Sequence, residues 1–375
     1  MKFNHAMRKI DRMIFGIGAL LALTTICLAQ GAPATPGTVF PASSESSDQK
    51  LGSILVFNFF TSGVGTGGAI EETELSLTNT NESQAVSVRL FSINGATGAV
   101  TNRLVSLNGG QTTSLFASQI AARVRGYAVA VAVDANTGCP ASYNFLRGSA
   151  FVRLGSGHSS KLGAEAYAAL YTGVLAGCGT NSTTARLSFD GASYNRVSRT
   201  LSVSYIPSRN DGNDTFLVVN RLNGNLGSGM PAIGIINGLF FDDSENRLIF
   251  PLLKMSCQLT NSIINTFPRL TPRLETYIPA GRSGWTSFYA TNGTGITGAV
   301  INFNANASSS SQAFSGGQNL HKLTINANGD FLDMPVIRPS ALVDEPEGSP
   351  VRESDGNAEP SPAKTIIRPK SNREL

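Results

Sequence analysis

The chain has 375 residues, 29 Lys and Arg against 25 Asp and Glu, with 14% of residues charged and 41% hydrophobic. The first 29 residues hold four of the basic groups and one acidic group, so residues 30–375 carry 25 against 24, and a surface that binds polyanions through net charge is excluded. These 346 residues exceed what one core usually serves, and an abundance of Gly, Ser, Thr and Asn with few helix formers suits many short strands joined by turns.

Lys2, Arg8, Lys9 and Arg12 precede the largely apolar run Met13–Leu28, and Cys27-Leu28-Ala29 stands before Gln30 as a small-residue cleavage site does. Residues 1–29 therefore read as a secretory signal peptide, the apolar run of about 16 residues being short of the roughly 20 a membrane anchor needs. Lipidation of Cys27 is the alternative, although Ile26 stands where a lipoprotein signal wants a small residue. Residues 30–50 are rich in Pro, Ala, Ser and Thr and read as a flexible leader.

Residues 51–155 read as a first antiparallel β-sandwich domain. Gly52–Phe60 is a dense apolar strand, Glu72–Thr80 alternates with Leu75 and Leu77 inward, and Gln84–Ile93, Ala99–Leu107 and Gln111–Phe116 follow at turn-separated intervals. Gly63–Gly68 matches the spacing of a dinucleotide-binding loop, but it leads into a strand rather than a helix and reads as a hairpin loop. In Tyr127–Asp134 one face carries Tyr127, Val129, Val131 and Val133 and the other only Ala128, Ala130 and Ala132. Both faces are apolar, which marks a central strand; the Asp134–Gly138 turn then leads to Ala141–Arg147.

Residues 156–182 read as a helical connector, since Leu162–Leu170 holds good helix formers with Ser159 or Ser160 as cap. Residues 183–338 read as a second sandwich domain, with strands at Thr183–Phe189, Arg199–Ile206, Thr215–Asn220, Ala232–Phe241 and Asn246–Leu253. This half repeats the first: Gly284-Trp285 opens WTSFYA as Gly126-Tyr127 opens YAVAVA, Thr291–Gly295 answers Asp134–Gly138, Asn302-Phe303 answers Asn144-Phe145, and Thr215–Asn220 answers Glu74–Asn79. Residues 339–375, dominated by Pro, Glu, Ser, Lys and Arg, read as a disordered tail.

Candidate chemistry is sparse. Beyond the signal the chain has His158 and His321, and neither stands in a Gly-x-Ser-x-Gly setting. Asp211-Gly212-Asn213-Asp214 and Asp242-Asp243-Ser244-Glu245 offer oxygen ligands for calcium without the spacing of an EF-hand, and Asx-rich turns explain them as well. No cofactor is expected, with calcium left open. Tyr127, Trp285, Phe288 and Tyr289 could form an aromatic platform, with Trp285 and Tyr289 the candidate ligand contacts, yet Trp285 at the place of inward Tyr127 favours core packing. Of Cys139, Cys178 and Cys257, the pair Cys178 with Cys257 is the expected disulfide, because Cys139 sits at a hairpin turn beside Pro140.

The segments TNTNESQAVSVRLF (Thr78–Phe91), GYAVAVAVD from Gly126 and NFLRGSAFV ending at Val152 resemble parts of uncharacterised secreted bacterial proteins of immunoglobulin-like sandwich appearance. The resemblance implies export and a β fold and carries over no functional residue. The expectation is an all-β protein of two tandem antiparallel, immunoglobulin-like sandwich domains with one short connecting helix. It would be exported to the periplasm, the cell surface or the medium, where it serves a non-enzymatic structural or binding role towards a protein or glycan. Nucleic acid and an integral anchor after signal cleavage are not expected; a carbohydrate-binding module is the alternative, a secreted hydrolase the third.

Overall fold

The computed structural model describes residues 46–64, 69–254, 256–262, 278–304 and 315–338. The expected signal peptide with Cys27, most of the expected leader, most of the Gly63–Gly68 loop and the expected tail over residues 339–375 lie outside the described residues.

The first nine strands are β1 (Ile54–Val64), β2 (Ile70–Asn79), β3 (Val86–Asn94), β4 (Val100–Leu107), β5 (Thr112–Phe116), β6 (Arg125–Val133), β7 (Leu146–Arg153), β8 (Ser159–Gly163) and β9 (Glu165–Tyr167). One helical turn, α1 (Ala117–Ile120), precedes β6. After β10 (Thr184–Ser188) come β11 (Ser198–Pro207), β12 (Asn213–Arg221), the two-residue β13 (Gly224–Asn225), β14 (Gly234–Asp242), β15 (Arg247–Lys254) and β16 (Gln258–Ser262). The chain closes with β17 (Ser283–Ala290), β18 (Ile296–Asn304), β19 (Gly316–Asn319), β20 (His321–Ile325) and β21 (Phe331–Pro335).

The pairing is that of an all-β protein, with antiparallel neighbours everywhere except β13 beside β21. Sheet I runs β4-β3-β6-β1-β9 and sheet II runs β5-β2-β7-β8, joined where the end of β1 crosses to β2 at Ser62–Val64. Sheet III runs β15-β14-β17-β11-β20 and sheet IV runs β16-β12-β18-β19. Strand for strand, III repeats I and IV repeats II, so nine strands recur in the same order. The three left over, β10, β21 and β13, form the small sheet V.

A local device supports the repeat. The first strand of each set slips register against its neighbour, between Phe57 and Phe60 in β1 and between Val203 and Ile206 in β11, and a glycine stands just past each slip. Gly126 faces Phe60 and Gly284 faces Ile206. A Cβ on Gly126 would lie 1.8 Å from the carbonyl oxygen of Ile93, and one on Gly284 would lie 2.7 Å from that of Phe241, the counterpart residue. Neither site admits a side chain without moving backbone. The separation of counterparts shifts from 146 residues at Phe60 and Ile206 to 158 at Gly126 and Gly284. The match of Asn144-Phe145 with Asn302-Phe303 is therefore off: Asn144 precedes β7, whereas Asn302 lies within β18.

Sheets I and II close on one core, with Phe57, Leu90 and the Ala128, Ala130, Ala132 methyls against Leu75, Leu146 and Val152. Sheets III and IV close on another, with Phe240, Phe250 and Phe288 against Leu217, Val219 and Val300. The alternation of β12 sends Phe216 and Val218 the other way, where with Ala299 and Ile301 they join the first core. The outer face of sheet I, with Tyr127, Val129 and Val131, is roofed by Leu187, Leu332 and Met334 of sheet V together with Phe189 and Tyr194. Strand β6 is thus buried on both faces, as its pattern predicts, and each large side chain of its outer row contributes about 1.5–3 kcal/mol by that burial.

The expected tandem of separate domains is not confirmed: the described residues fall in one compact unit and apolar clusters cross the boundary at 156–182. The expected helix over Leu162–Leu170 is also absent. Residues there form β8 on β7 and β9 on β1, with Ala164 and Ala166 facing the first core and Tyr167 and Ala169 the second. Pairing with two open sheet edges outweighs the helix preference of alanine, which is the highest of any residue but worth under about 1 kcal/mol per position. Of the expected leader, residues 46–50 are described, and Ser47 bridges Ala166.

The disulfide joins Cys139 to Cys178, and Cys257 is a buried free thiol, which overturns the expected pairing of Cys178 with Cys257. Cys257 lies instead under the β3–β4 turn, where its thiol donates to the carbonyls of Asn94 (3.2 Å) and Gly95 (3.4 Å). Replacing Cys139 by Ser is expected to cost about 4 kcal/mol, from the loop entropy of a 39-residue separation, read as a lowered midpoint in chemical denaturation. Cys257→Ala is expected to cost far less and to leave the disulfide intact on thiol titration.

Candidate functional site

Three sheet faces point outward in this layered arrangement, and they differ in composition. The outer face of sheet II is largely polar: Thr78 and Thr112 hydroxyls meet at 2.9 Å, Ser76 and Ser114 at 3.2 Å, beside Glu72, Glu74, Arg147 and Arg153, with Phe116 and Ile70 its exposed apolar side chains. Sheet V turns outward the Arg186–Asp333 ion pair, with the guanidinium also over the Phe331 ring. Sheet III differs. The outward positions of β14 and β17 are Ile235, Asn237, Leu239 and Phe241, then Trp285, Ser287 and Tyr289, without one Asp, Glu, Lys, Arg or His. Ile249 of β15 stands next to Leu239 and is 64% exposed; Ile235 is 45% exposed, Trp285 and Tyr289 39% each.

This is the counterpart of the face that sheet V covers on sheet I. Trp285 occupies the place of Tyr127, and Phe241 that of Ile93, since Ile93 pairs with Tyr127 as Phe241 pairs with Trp285. Tyr127 is wholly buried, whereas Trp285 is open, so the expectation that Trp285 packs in the core is not met. The roof that covers Tyr127 extends over sheet I alone. The four aromatic residues proposed for a platform are therefore split, with Tyr127 and Phe288 inside, Trp285 and Tyr289 outside. The outward pair lies on one strand, four residues and roughly 13 Å apart.

Ring geometry defines what this face can receive. Trp285 and Phe241 have centroids 4.6 Å apart and planes within 10°. That separation matches the spacing of neighbouring strands, so the rings stand up from the sheet side by side, and Phe241 covers one face of the indole. Where these two rings stand, the outward surface presents ring edges rather than a ring lying flat.

A second concentration of polar groups lies in the seam between the two sandwiches, in a cleft of about 460 Å³ whose lining includes Ser46, Asp48, Lys50, Glu165, Asn319 and His321. Glu165 of β9 is buried, and its carboxylate meets Lys322 Nζ of β20 at 2.8 Å while accepting from Ser46 Oγ (2.6 Å), Tyr167 OH (2.8 Å) and Thr297 Oγ1 (2.7 Å). Below it Asn58 donates to Asn319 Oδ1 (2.9 Å), Asn220 donates to the Asn58 carbonyl (2.8 Å), and Gln258 donates to Asn220 Oδ1 (2.8 Å). The network ties β1 and β9 of the first set to β12, β16, β18, β19 and β20 of the second. Burial alone would raise the Glu165 carboxyl, but the Lys322 ammonium and the donated hydrogen bonds outweigh it and hold the group down at about 2.

The remaining sequence candidates are occupied in turns and side-chain pairs. His158 Nε2 lies 2.9 Å from Ser160 Oγ and its ring stacks on Phe303, while burial lowers its affinity for a proton. Asp242 Oδ1 accepts from the amides of Ser244 and Asn246, both at 2.8 Å, and Oδ2 from the Asn246 side chain at 2.7 Å, an Asx turn like that of its counterpart Asn94. Asp211 Oδ2 accepts from the Gly281 amide, and Asp243 pairs with Arg282 at 2.7 Å. Among the described residues no group of three or more His, Cys, Asp or Glu is placed to hold a metal ion. Nor is any described helix long and apolar enough to cross a membrane.

Comparison with known proteins finds no matching family model, no matching curated protein and no matching solved structure. Fold and surface together define an all-β protein of stacked antiparallel sheets with an apolar sheet face turned outward.

The seam is open to direct test by pH. Because the folded Glu165 carboxyl lies below its unfolded value near 4.5, its contribution is complete above that pH and is lost as pH falls toward about 2. Lys322→Met, which strands the carboxylate, is expected to cost about 3–5 kcal/mol at pH 7 in chemical denaturation. Its deficit is expected to shrink on acidification, because the unpaired carboxyl then takes up a proton.

Proposed function

We propose that this chain is an exported, non-enzymatic protein that serves a binding or structural role in the cell envelope or outside the cell. Its working surface is the outer face of sheet III. The observation that carries the reading is the apolar character of that face, in a protein that makes sheet II's outward face mainly of hydroxyls and charges. Two features support export: the signal-like residues 1–29 and a disulfide between Cys139 and Cys178, a bond that persists in oxidising compartments. Support for a role without catalysis comes from His158, Asp211 and Asp242, whose polar atoms serve their own loops and neighbours. The immunoglobulin-like reading rests on the sequence resemblance alone.

Carbohydrate binding is the second reading, favoured by the exposure of Trp285 and Tyr289 on one strand. Against it stands the Phe241 ring on the indole face, which leaves less flat surface for a sugar.

Intact-mass analysis of the exported product is expected to show a chain starting at Gln30, with one disulfide and one thiol that resists alkylation until the protein unfolds, since burial pushes Cys257 up to about 11. A full-length mass, or three thiols reactive without reduction, counts against export. For the carbohydrate reading, the test is retention on insoluble cellulose and chitin. Little retention is expected, whereas firm retention lost at least tenfold in Trp285→Ala would favour a glycan ligand.

A further inference from the structure

We propose that the outer face of sheet III is a self-association surface, on which a second copy of this chain packs sheet to sheet. The inference rests on the proposed function, in which this face is the working surface, and it names the partner.

The repeat says what kind of cover the face is built for. On sheet I the same row of positions is closed by Leu187, Leu332 and Met334, side chains from another sheet of the same chain. On sheet III the described chain offers no such layer, and Trp285, Phe241, Tyr289, Leu239, Ile235 and Ile249 are left facing outward. Their upright rings and branched ends form ridges of the kind that interdigitate between stacked sheets rather than the flat plane that suits a sugar. Small Ser287 and half-buried Asn237 separate the large groups along the strands and leave hollows for the ridges of an opposing layer.

Like-to-like pairing suits this face in particular. Two copies of one sheet have the same twist, so they stack with strands nearly aligned, and a twofold axis lets each ridge meet the partner's hollow in both directions. The outward positions of β14 and β17 carry no ionised side chain, and Arg247 of β15, beside Phe241, stands toward the edge of the face, so the centres of two identical faces meet without like-charge repulsion. Five strands about 4.8 Å apart and roughly seven residues long give a projected area of about 500 Å². Set against the about 800 Å² per partner of a standard interface, that area suits a weak, concentration-dependent dimer.

Sedimentation velocity of the purified exported chain between about 1 and 100 μM is the test. The expected result is a concentration-dependent shift from monomer to dimer. Ile249→Lys and Trp285→Ala are expected to weaken dimerisation at least tenfold, while Thr78→Lys, on the polar outer face of sheet II, leaves it unchanged. A wild-type chain that stays monomeric at 100 μM overturns the proposal, and so does a dimer indifferent to Ile249→Lys. Should the substituted chains fail to fold by circular dichroism, Ser287→Lys, at the outward position between Trp285 and Tyr289, gives the answer instead: loss of the dimer is expected, and a dimer that persists overturns the proposal. A monomer that loses cellulose or chitin retention on Trp285→Ala would remove self-association but keep the binding reading; a dimer whose hydrolytic activity is lost on His158→Ala would keep self-association but remove the non-enzymatic reading.

Discussion

Strand β6 is apolar on both sides, so the sheet that carries it needs a layer above and a layer below, and much of the molecule is arranged to supply them. Sheet II with its leucines and valines fills one side, and sheet V with its flanking loops fills the other. Sheet III has the same strand order and a similar two-sided pattern in β14, where Ile236 and Phe240 point in and Ile235 and Phe241 point out. Among the described residues the chain therefore builds one doubly demanding sheet twice and roofs it once. Its exposed apolar row is the residue of that asymmetry.

How the two sandwiches are held in register is a polar matter as well as an apolar one. Phe216 and Val218 carry apolar surface from sheet IV into the first core, but a smooth apolar contact alone would tolerate sliding. The Asn58, Asn220, Gln258 and Asn319 side chains, with Glu165 against Lys322, bond correctly in one arrangement only, because each displaced partner would leave a buried group unmatched. That is a reason for a buried ion pair where leucines would have served for packing alone.

Most strands were legible from alternation, and the doubly buried β6 and the correspondence of Gly126 with Gly284 could be read directly, whereas the order in which the strands pair was not. What failed did so for physical reasons. Leu162–Leu170 looked helical because alanine favours helices, yet Ala164 and Ala166 turn to one core while Tyr167 and Ala169 turn to the other. The Cys139–Cys178 bond depends on a return of the chain that no local pattern encodes, signalled in the structure by the bridge between Ala141 and Val174. The exposure of Trp285 could not be read from its match to Tyr127, because strand position is set by sequence whereas cover is set by where sheet V lands. One signal was available for the missed neighbours: GIINGLFFD has large apolar groups on both faces, as β6 does, and this predicts a sheet that is covered on both sides.

The disulfide lies on the strap that carries the chain from the first sandwich up to its roof, where Ala141 bridges Val174 and Leu175 bonds to Pro140. While both thiols stay reduced, that strap is held by packing and a few backbone bonds only. Oxidation of that pair ties residue 139 to residue 178 covalently, so the roof can then lift only together with the turn to which it is stapled.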